Sequence, residues 1–250
     1  MRISALFAAF MLFALGVAAE AAEIRVVSSP GLTAVFKVIG PQFERATGHK
    51  LTFQYGLEAA QKQYIQAGDF DLAIVPSRVL DDAIKGGKIA ADTRTPVARA
   101  GLSVGVRAGA AKPDVASVDA FKRVMVAAKS VAYAANESTG RQIAKDFESL
   151  GIAEIMKAKT KPQKTVTLVW QAVASGDAEL GFSFTSNLLS APGVELAGPF
   201  PAELQYSVVL AAGIGSAARQ ADAAKSFIKY LLTPEAASVL KAKGLEPPAP

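Results

Sequence analysis

The chain reads as an α/β protein of two lobes, each a mostly parallel sheet flanked by helices, with two extended crossover segments joining them. Three observations predict this. Short apolar strands alternate with segments of helical spacing near the start of the chain, the order expected of a parallel sheet covered on both faces. The same rhythm resumes after residue 130. Between and after these stretches lie two longer extended runs, Gly101–Val106 and Tyr206–Leu210, which bracket about a hundred residues with strands and helices of their own. The predicted organisation is a leader over 1–21, one lobe from 22–103 and 206–250, and a second lobe, 104–205, inserted between the crossovers.

The leader comes first. Arg2 precedes an uninterrupted apolar stretch from Ala5 to Ala19, followed by Ala19-Glu20-Ala21. This is the three-part pattern of a cleavable secretory signal, and the stretch is shorter than the roughly 20 apolar residues that cross a bilayer. Cleavage is expected after Ala21, with Ala19 as the alternative, and a periplasmic location follows. The chain has no cysteine, so disulfides, a lipidated cysteine and thiol chemistry are all excluded; a domain of this size does not need disulfides in an oxidising compartment.

The first strand is Ile24–Ser28. After Pro30-Gly31, Leu32, Val35, Phe36, Ile39 and Phe43 recur at three and four residues and predict a helix that Gly48 ends. Leu51–Tyr55 alternates as a strand broken by Gly56, a helix spans Ala59–Ala67 up to Gly68, and Asp71–Val75 is a buried strand closed by Pro76. Later come a strand at Ser130–Ala134, a helix over Gly140–Leu150, a strand at Thr165–Val169, a short helix over Trp170–Ala174 and a strand at Leu180–Phe184. Lys157, Lys159, Lys161 and Lys164, beside Pro162, read as a solvated loop. The tail, Ala221–Lys243, is helical and broken at Thr233-Pro234, with Phe227, Ile228, Leu231 and Leu232 on one face.

The order of these pieces carries a resemblance. "IRVVSSPGLTAVFKVIGPQFERATGHKLTFQYG", "YIQAGDFDLAIVPSRVLDDAIKGGKI" and "FIKYLLTPEAASVLKAKGLEP" together resemble the periplasmic solute-binding proteins of ABC transporters, in the molybdate-binding-protein-like branch with the type II two-lobe fold. The resemblance spans essentially the whole mature chain. It implies capture of a small anion, a molybdate-like oxyanion or a small organic carboxylate, between the lobes, and delivery to a permease in the inner membrane. It also implies where the ligand sits. "SSPGLT" matches the first binding loop, with Ser28 and Ser29 near Gly31, which stands where that branch has a serine. "YGLEAA" matches the second, with Leu57 and Glu58 in place of a serine-rich run. Thr139-Gly140, followed by Arg141, matches the turn whose backbone donates to the ligand; Val166 falls at a second backbone donor; and Phe184 replaces a tyrosine. Three side-chain donors of molybdate binders are thus missing, and each unmet polar contact of a buried anion is unfavourable by about 1–3 kcal/mol. Arg141 could clamp a carboxylate instead.

The residues alone allow other accounts. Thr139-x-x-Gln142 has the form of a capping box, although a helix start is also an anion site. Ser29 and Pro30 suit simple helix capping. Glu58 suits a solvated first-turn carboxylate, Phe184 and Trp170 suit core packing, and Asp69 and Asp71 suit a turn rather than a metal site. The formal charge of +5 is dispersed and the lysine run has no interleaved aromatics, so nucleic acid is not an expected partner. The one histidine, His49, lies in a turn expected to be solvated and away from the cleft. With no histidine cluster, P-loop or G-x-S-x-G, neither catalysis nor a metal or other cofactor is expected. The expectation is a monomeric receptor, not an enzyme. A secreted interaction or sensor module without a transport role is the alternative.

Overall fold

A computed structural model of the chain describes residues 21–135 and 138–248; the expected leader lies outside these. The strands are β1 Glu23–Ser28, β2 Lys50–Tyr55, β3 Leu72–Pro76, β4 Thr95–Arg107, β5 Val131–Ala134, β6 Thr160–Gln163, β7 Leu180–Phe184, β8 Val194–Pro199 and β9 Ser207–Ile214. The helices are α1 Thr33–Thr47, α2 Glu58–Ala67, α3 Ser77–Lys85, α4 Val118–Ala127, α5 Ser138–Ser149, α6 Ala153–Lys159, α7 Val166–Ser175, α8 Thr185–Leu188, α9 Ala221–Leu231 and α10 Pro234–Ala242.

The sheet runs β2-β1-β3-β9-β4-β7-β5-β6, with β8 also on β4. β1 is parallel to β2 and β3, and β5 is parallel to β6 and β7. β4 belongs to both groups. Its first half, Thr95–Gly101, pairs with β9, while Leu102–Val106 pairs with β7 and Ser103–Arg107 with β8. The chain crosses back along the same line through β8, the turn at 200–206 and β9. There Gln205 acts as a piece of backbone: its Oε1 accepts from Leu102 N at 2.6 Å and its Nε2 donates to Leu102 O at 3.1 Å. The apolar interior divides accordingly. One core draws on residues 24–100 and 210–245, another on 102–200, and Phe184 packs against both.

Local chemistry explains the elements. Leu32, Val35, Phe36, Ile39 and Phe43 are all at most 3% exposed, so the helical stripe read from the sequence is the buried face of α1. Gly48 and Gly68 end their helices at φ 77° and 78°, a conformation in which Cβ would be strained. Thr233 accepts from Ala236 N at 3.3 Å and Pro234 opens α10, which breaks the tail where expected. Buried Asp71 joins three segments. Its carboxylate accepts from Arg25 N on β1 and from Arg219 N and Gln220 N at the entrance to α9, in keeping with a structural role.

Three sequence expectations are corrected. Thr165–Val169 is not a strand. Thr165 caps α7, its hydroxyl accepting from Leu168 N at 3.3 Å. Val169, Trp170 and Val173 then form a buried helical stripe, so helical packing overrides the local β preference of a β-branched run. The lysine run is not a loop either. Lys157 and Lys159 close α6, and Lys161 lies with Pro162 on the edge strand β6, where lysine and proline discourage further strand pairing. Finally, His49 is half-buried rather than solvated, its Nδ1 accepting from Ala22 N at 3.2 Å.

Candidate functional site between the two halves

The strand register places the site. β3 runs toward Pro76, which lies opposite Leu210, near the point where β9 begins opposite Gly101. β7 runs the other way and ends at Phe184, opposite Leu102. The carboxyl ends of the parallel strands in both halves therefore converge on the midpoint of β4. In open α/β sheets this is the edge where ligands lie. The two edges meet where a Cβ added to Gly31 would stand 3.5 Å from Ser186 Oγ and 3.7 Å from Asn187 Oδ1.

The first half contributes the ends of β1, β2 and β3. Ser28 is fully buried and its hydroxyl donates to Ile74 O at 3.3 Å; it ties β1 to β3. Ser29 is 9% exposed and precedes the short 3-10 turn Pro30–Leu32 that carries Gly31. It makes no side-chain cap there. Leu57, an exposed leucine, precedes α2, and Pro76 precedes α3; neither helix has a side-chain cap. Among the described residues their first-turn N–H groups have no side-chain cap, at the positive ends of the helix dipoles. Ser77 Oγ, at the start of α3, is enclosed and unpartnered among the described residues.

Glu58 is not an isolated negative charge at this edge. Lys62 reaches its carboxylate at 3.2 Å and Arg78 binds the other oxygen. Partial burial pushes its pKa up, but the bonds from Lys62 and Arg78 outweigh this and hold the carboxyl below the usual range. Burial raises the Tyr55 hydroxyl despite its bond with Thr33, so Tyr55 is a neutral phenol at the end of β2.

The second half contributes α5, α7 and α8. Residues 136 and 137 lie outside the described residues. Thr139 and Gly140 are the second and third residues of α5 and both are buried. The expected capping box does not form: Thr139 is inside the helix, and Gln142 Nε2 donates forward to Asp146 Oδ1 at 2.9 Å. Gly140 is explained by a close approach, since a Cβ there would fall 2.3 Å from Ala134 O and 2.7 Å from Ala135 Cα. Arg141 follows with an exposed side chain. Val166 opens α7 and is half-buried, which leaves its N–H at a helix start although the preceding strand was misplaced. Phe184 stacks on Tyr206 at 6.5 Å between the two cores, so packing accounts for its ring.

Gln61, Ser77, Ser186 and Asn187 were not singled out from the sequence. Ser77 and Ser186 each lie just beyond a strand end, and the rule that located Ser29 would have found them. Gln61 had no such signal. A hollow along α4 near Lys122, and another between Arg25 and Arg219 at the amino end of β1, are lined by none of the residues of this edge. Among the described residues no group of acidic, histidine or cysteine side chains could hold a metal ion, and no helix is long and apolar enough to cross a membrane.

Comparison with known proteins places this geometry in a family. Residues 24–246 match the family model described as bacterial extracellular solute-binding protein. The chain is 28% identical to an aconitate isomerase from Pseudomonas sp, over 90% of this chain and 87% of that one. It is 29% identical to the molybdate-binding protein of Azotobacter vinelandii, over 92% of each. Among solved structures, the substrate binding domain of a putative molybdenum ABC transporter from Clostridium difficile superposes with a TM-score of 0.79 at 19% identity, covering 92% of this chain and all of that one. The two-lobe α/β fold is that of type II periplasmic binding proteins, and the chain belongs to the bacterial extracellular solute-binding protein family.

Proposed function

We propose that the protein captures one small anion, a carboxylate in preference to molybdate, between residues 22–103 with 206–250 on one side and 104–205 on the other. The observation that carries this reading is the convergence of strand ends from both halves on the midpoint of β4, joined in the first half by the uncapped starts of α2 and α3, with Glu58 already neutralised by two cations. In this reading Ser29, the backbone at Gly31 and the first-turn N–H groups following Leu57 face the ligand from one side. Thr139, Gly140 and Val166 offer backbone N–H groups from the other, and Arg141 pairs with a carboxylate. Ser28 supports the loop rather than touching the ligand.

Two facts favour a carboxylate. Gly31, Leu57 and Phe184 supply no side-chain hydroxyl, so a tetrahedral oxyanion would lack three of the side-chain donors that the resemblance to molybdate binders implies. Moreover, one relative is named for aconitate, a small tricarboxylate. The protein then acts in the periplasm as a monomer without a cofactor and hands its ligand to an ABC permease in the inner membrane, with hinge closure about β4 and the 200–206 turn.

The same relative supports a second reading, isomerisation of a small unsaturated carboxylate. Such a reaction needs a base poised near neutrality. Among the described residues, Glu58 is held ionised and weakly basic by Lys62 and Arg78, and His49 lies at the opposite end of the sheet. Binding without turnover is therefore the reading preferred here.

Thermal unfolding of residues 22–250 against molybdate, tungstate, sulfate, phosphate and mono-, di- and tricarboxylates tests both. A ligand at about 100 times its dissociation constant stabilises by about 2.7 kcal/mol, which for a chain of this size is a shift of roughly 5–11 °C. The expected result is a shift with carboxylates that Arg141→Ala removes, and no change in the NMR spectrum of aconitate incubated with the protein. Turnover would establish the isomerase reading. A shift with molybdate and tungstate alone would overturn the carboxylate preference, and no shift with any anion would leave an interaction module.

A further inference from the structure

Gln61 is 2% exposed, yet it bridges two of the loops at the cleft edge. Its Nε2 donates to Gly56 O at 2.7 Å and to Ser29 Oγ at 3.0 Å. A carbonyl oxygen can only accept, so the contact with Gly56 fixes which end of the amide lies there. The second hydrogen of the same nitrogen is then directed at Ser29, whose hydroxyl accepts it. A hydroxyl that accepts from Gln61 keeps its own proton for another acceptor. Ser29 N donates to Ile74 O, and among the described residues no acceptor faces the Ser29 hydroxyl proton. At its other end, Gln61 Oε1 is buried with no donor among the described residues.

We infer that Gln61 is a positioning residue that occupies one lone pair of the Ser29 hydroxyl and turns its proton toward the ligand, so that the ligand atom opposite Ser29 must be an acceptor with a free lone pair. The inference rests on the reading of the cleft as an anion site and adds a selectivity to it. An ionised carboxylate or fully deprotonated oxyanion is accepted. A ligand presenting an ammonium or amide N–H at that place offers no lone pair, sets donor against donor and is disfavoured. Gln61 acts at a distance: it touches the serine, not the ligand.

A double-mutant cycle read by calorimetric titration tests this, with propane-1,2,3-tricarboxylate and sulfate as probes on residues 22–250. Ser29→Ala is expected to weaken binding roughly 10- to 100-fold, the effect of losing one hydrogen bond to a charged group. Gln61→Met is expected to weaken the wild-type protein but to change Ser29→Ala by less than about twofold, because its effect passes through the serine. Equal losses from Gln61→Met with and without the Ser29 hydroxyl would overturn the inference.

Gln61→Glu gives a second, independent reading should the methionine variant fold poorly. Near pH 8 the introduced carboxylate accepts the Ser29 proton, and sulfate binding falls at least as far as in Ser29→Ala. The loss shrinks as the pH is lowered and the introduced group becomes neutral, whereas the wild-type profile stays flat. A pH-independent loss would also overturn the inference. If the wild-type protein binds neither these probes nor any other anion, the anion-site reading fails and takes this inference with it; wild-type binding with additive losses refutes this inference alone.

Discussion

Replacing Asp71 with asparagine should lower stability substantially at neutral pH and by less in acid. The Asp71 side chain is fully buried. Its Oδ2 accepts from Arg25 N at 2.9 Å and Arg25 Nε at 3.2 Å, while Oδ1 accepts from Arg219 N at 2.9 Å and Gln220 N at 3.2 Å. Asparagine can keep one oxygen toward Arg219 and Gln220, but its NH2 then faces the Arg25 N–H and guanidinium, donor against donor. Breaking a buried, hydrogen-bonded ion pair from one side is unfavourable by about 3–5 kcal/mol. Arg25 is partly exposed and also pairs with Asp69, so its charge is not stranded and the lower end applies. About 3 kcal/mol corresponds to a fall in Tm of roughly 6–12 °C for a chain of this length. The pH dependence follows from the shift at Asp71. Burial raises its pKa, but the bonds from Arg25 and the Arg219 amide outweigh this and leave the folded value below the ordinary one. The stabilisation is therefore present above the unfolded carboxylate pKa, about 3.9, and is lost as the pH falls through the lowered folded value. Calorimetric melts of the wild-type protein and Asp71→Asn between pH 7 and pH 3 should draw closer together toward the acid end. A Tm loss below about 2 °C at pH 7, or a gap that does not narrow in acid, would refute the reasoning.

Three further outcomes are expected. Gly140→Ala places a Cβ 2.3 Å from Ala134 O; forcing α5 off β5 should lower stability by about 1–3 kcal/mol in thermal melts and weaken anion binding, whereas a fully active, equally stable variant would contradict the account of that corner. Asp146→Asn should raise Tm at pH 7 by roughly 2–4 °C if the relief is about 1 kcal/mol. Burial pushes the Asp146 carboxyl up against the opposing bond from Gln142, so wild-type stability falls as the pH rises from the unfolded value through the raised one, and the gain should vanish near pH 4; an unchanged melt at pH 7 would count against it. Gln205→Leu removes both side-chain bonds to Leu102 and should speed hydrogen exchange of the Leu102 amide by about tenfold, the equivalent of about 1.4 kcal/mol; unchanged exchange would mean that Gln205 does not hold the crossover.

Much of the fold was legible because local and tertiary demands agree. The α1 stripe from Leu32 to Phe43 and the run at the end of β3 need only be buried on one side or on both, and the spacing of apolar residues states that directly. Thr165–Val169 misled because its β-branched residues favour a strand locally, while the Thr165 cap and the contacts of Val169, Trp170 and Val173 fix a helix. At the site, Ser29 and Gly31 were visible as a strand end before a helix. The apposition of Gly31 and Ser186 exists only once β4 has brought the two halves together. Gln61 lies 32 residues from the serine it orients, and no local pattern distinguishes it from the other polar residues of α2.

The central claim is that the cleft holds one small carboxylate. Calorimetric titration of residues 22–250 with propane-1,2,3-tricarboxylate tests it most directly, because this ligand has no double bond and reports binding apart from turnover. The account predicts saturable binding at one site per chain, weakened by Arg141→Ala and Ser29→Ala alike. Absence of binding by this and every smaller carboxylate, with or without binding of molybdate, would contradict it.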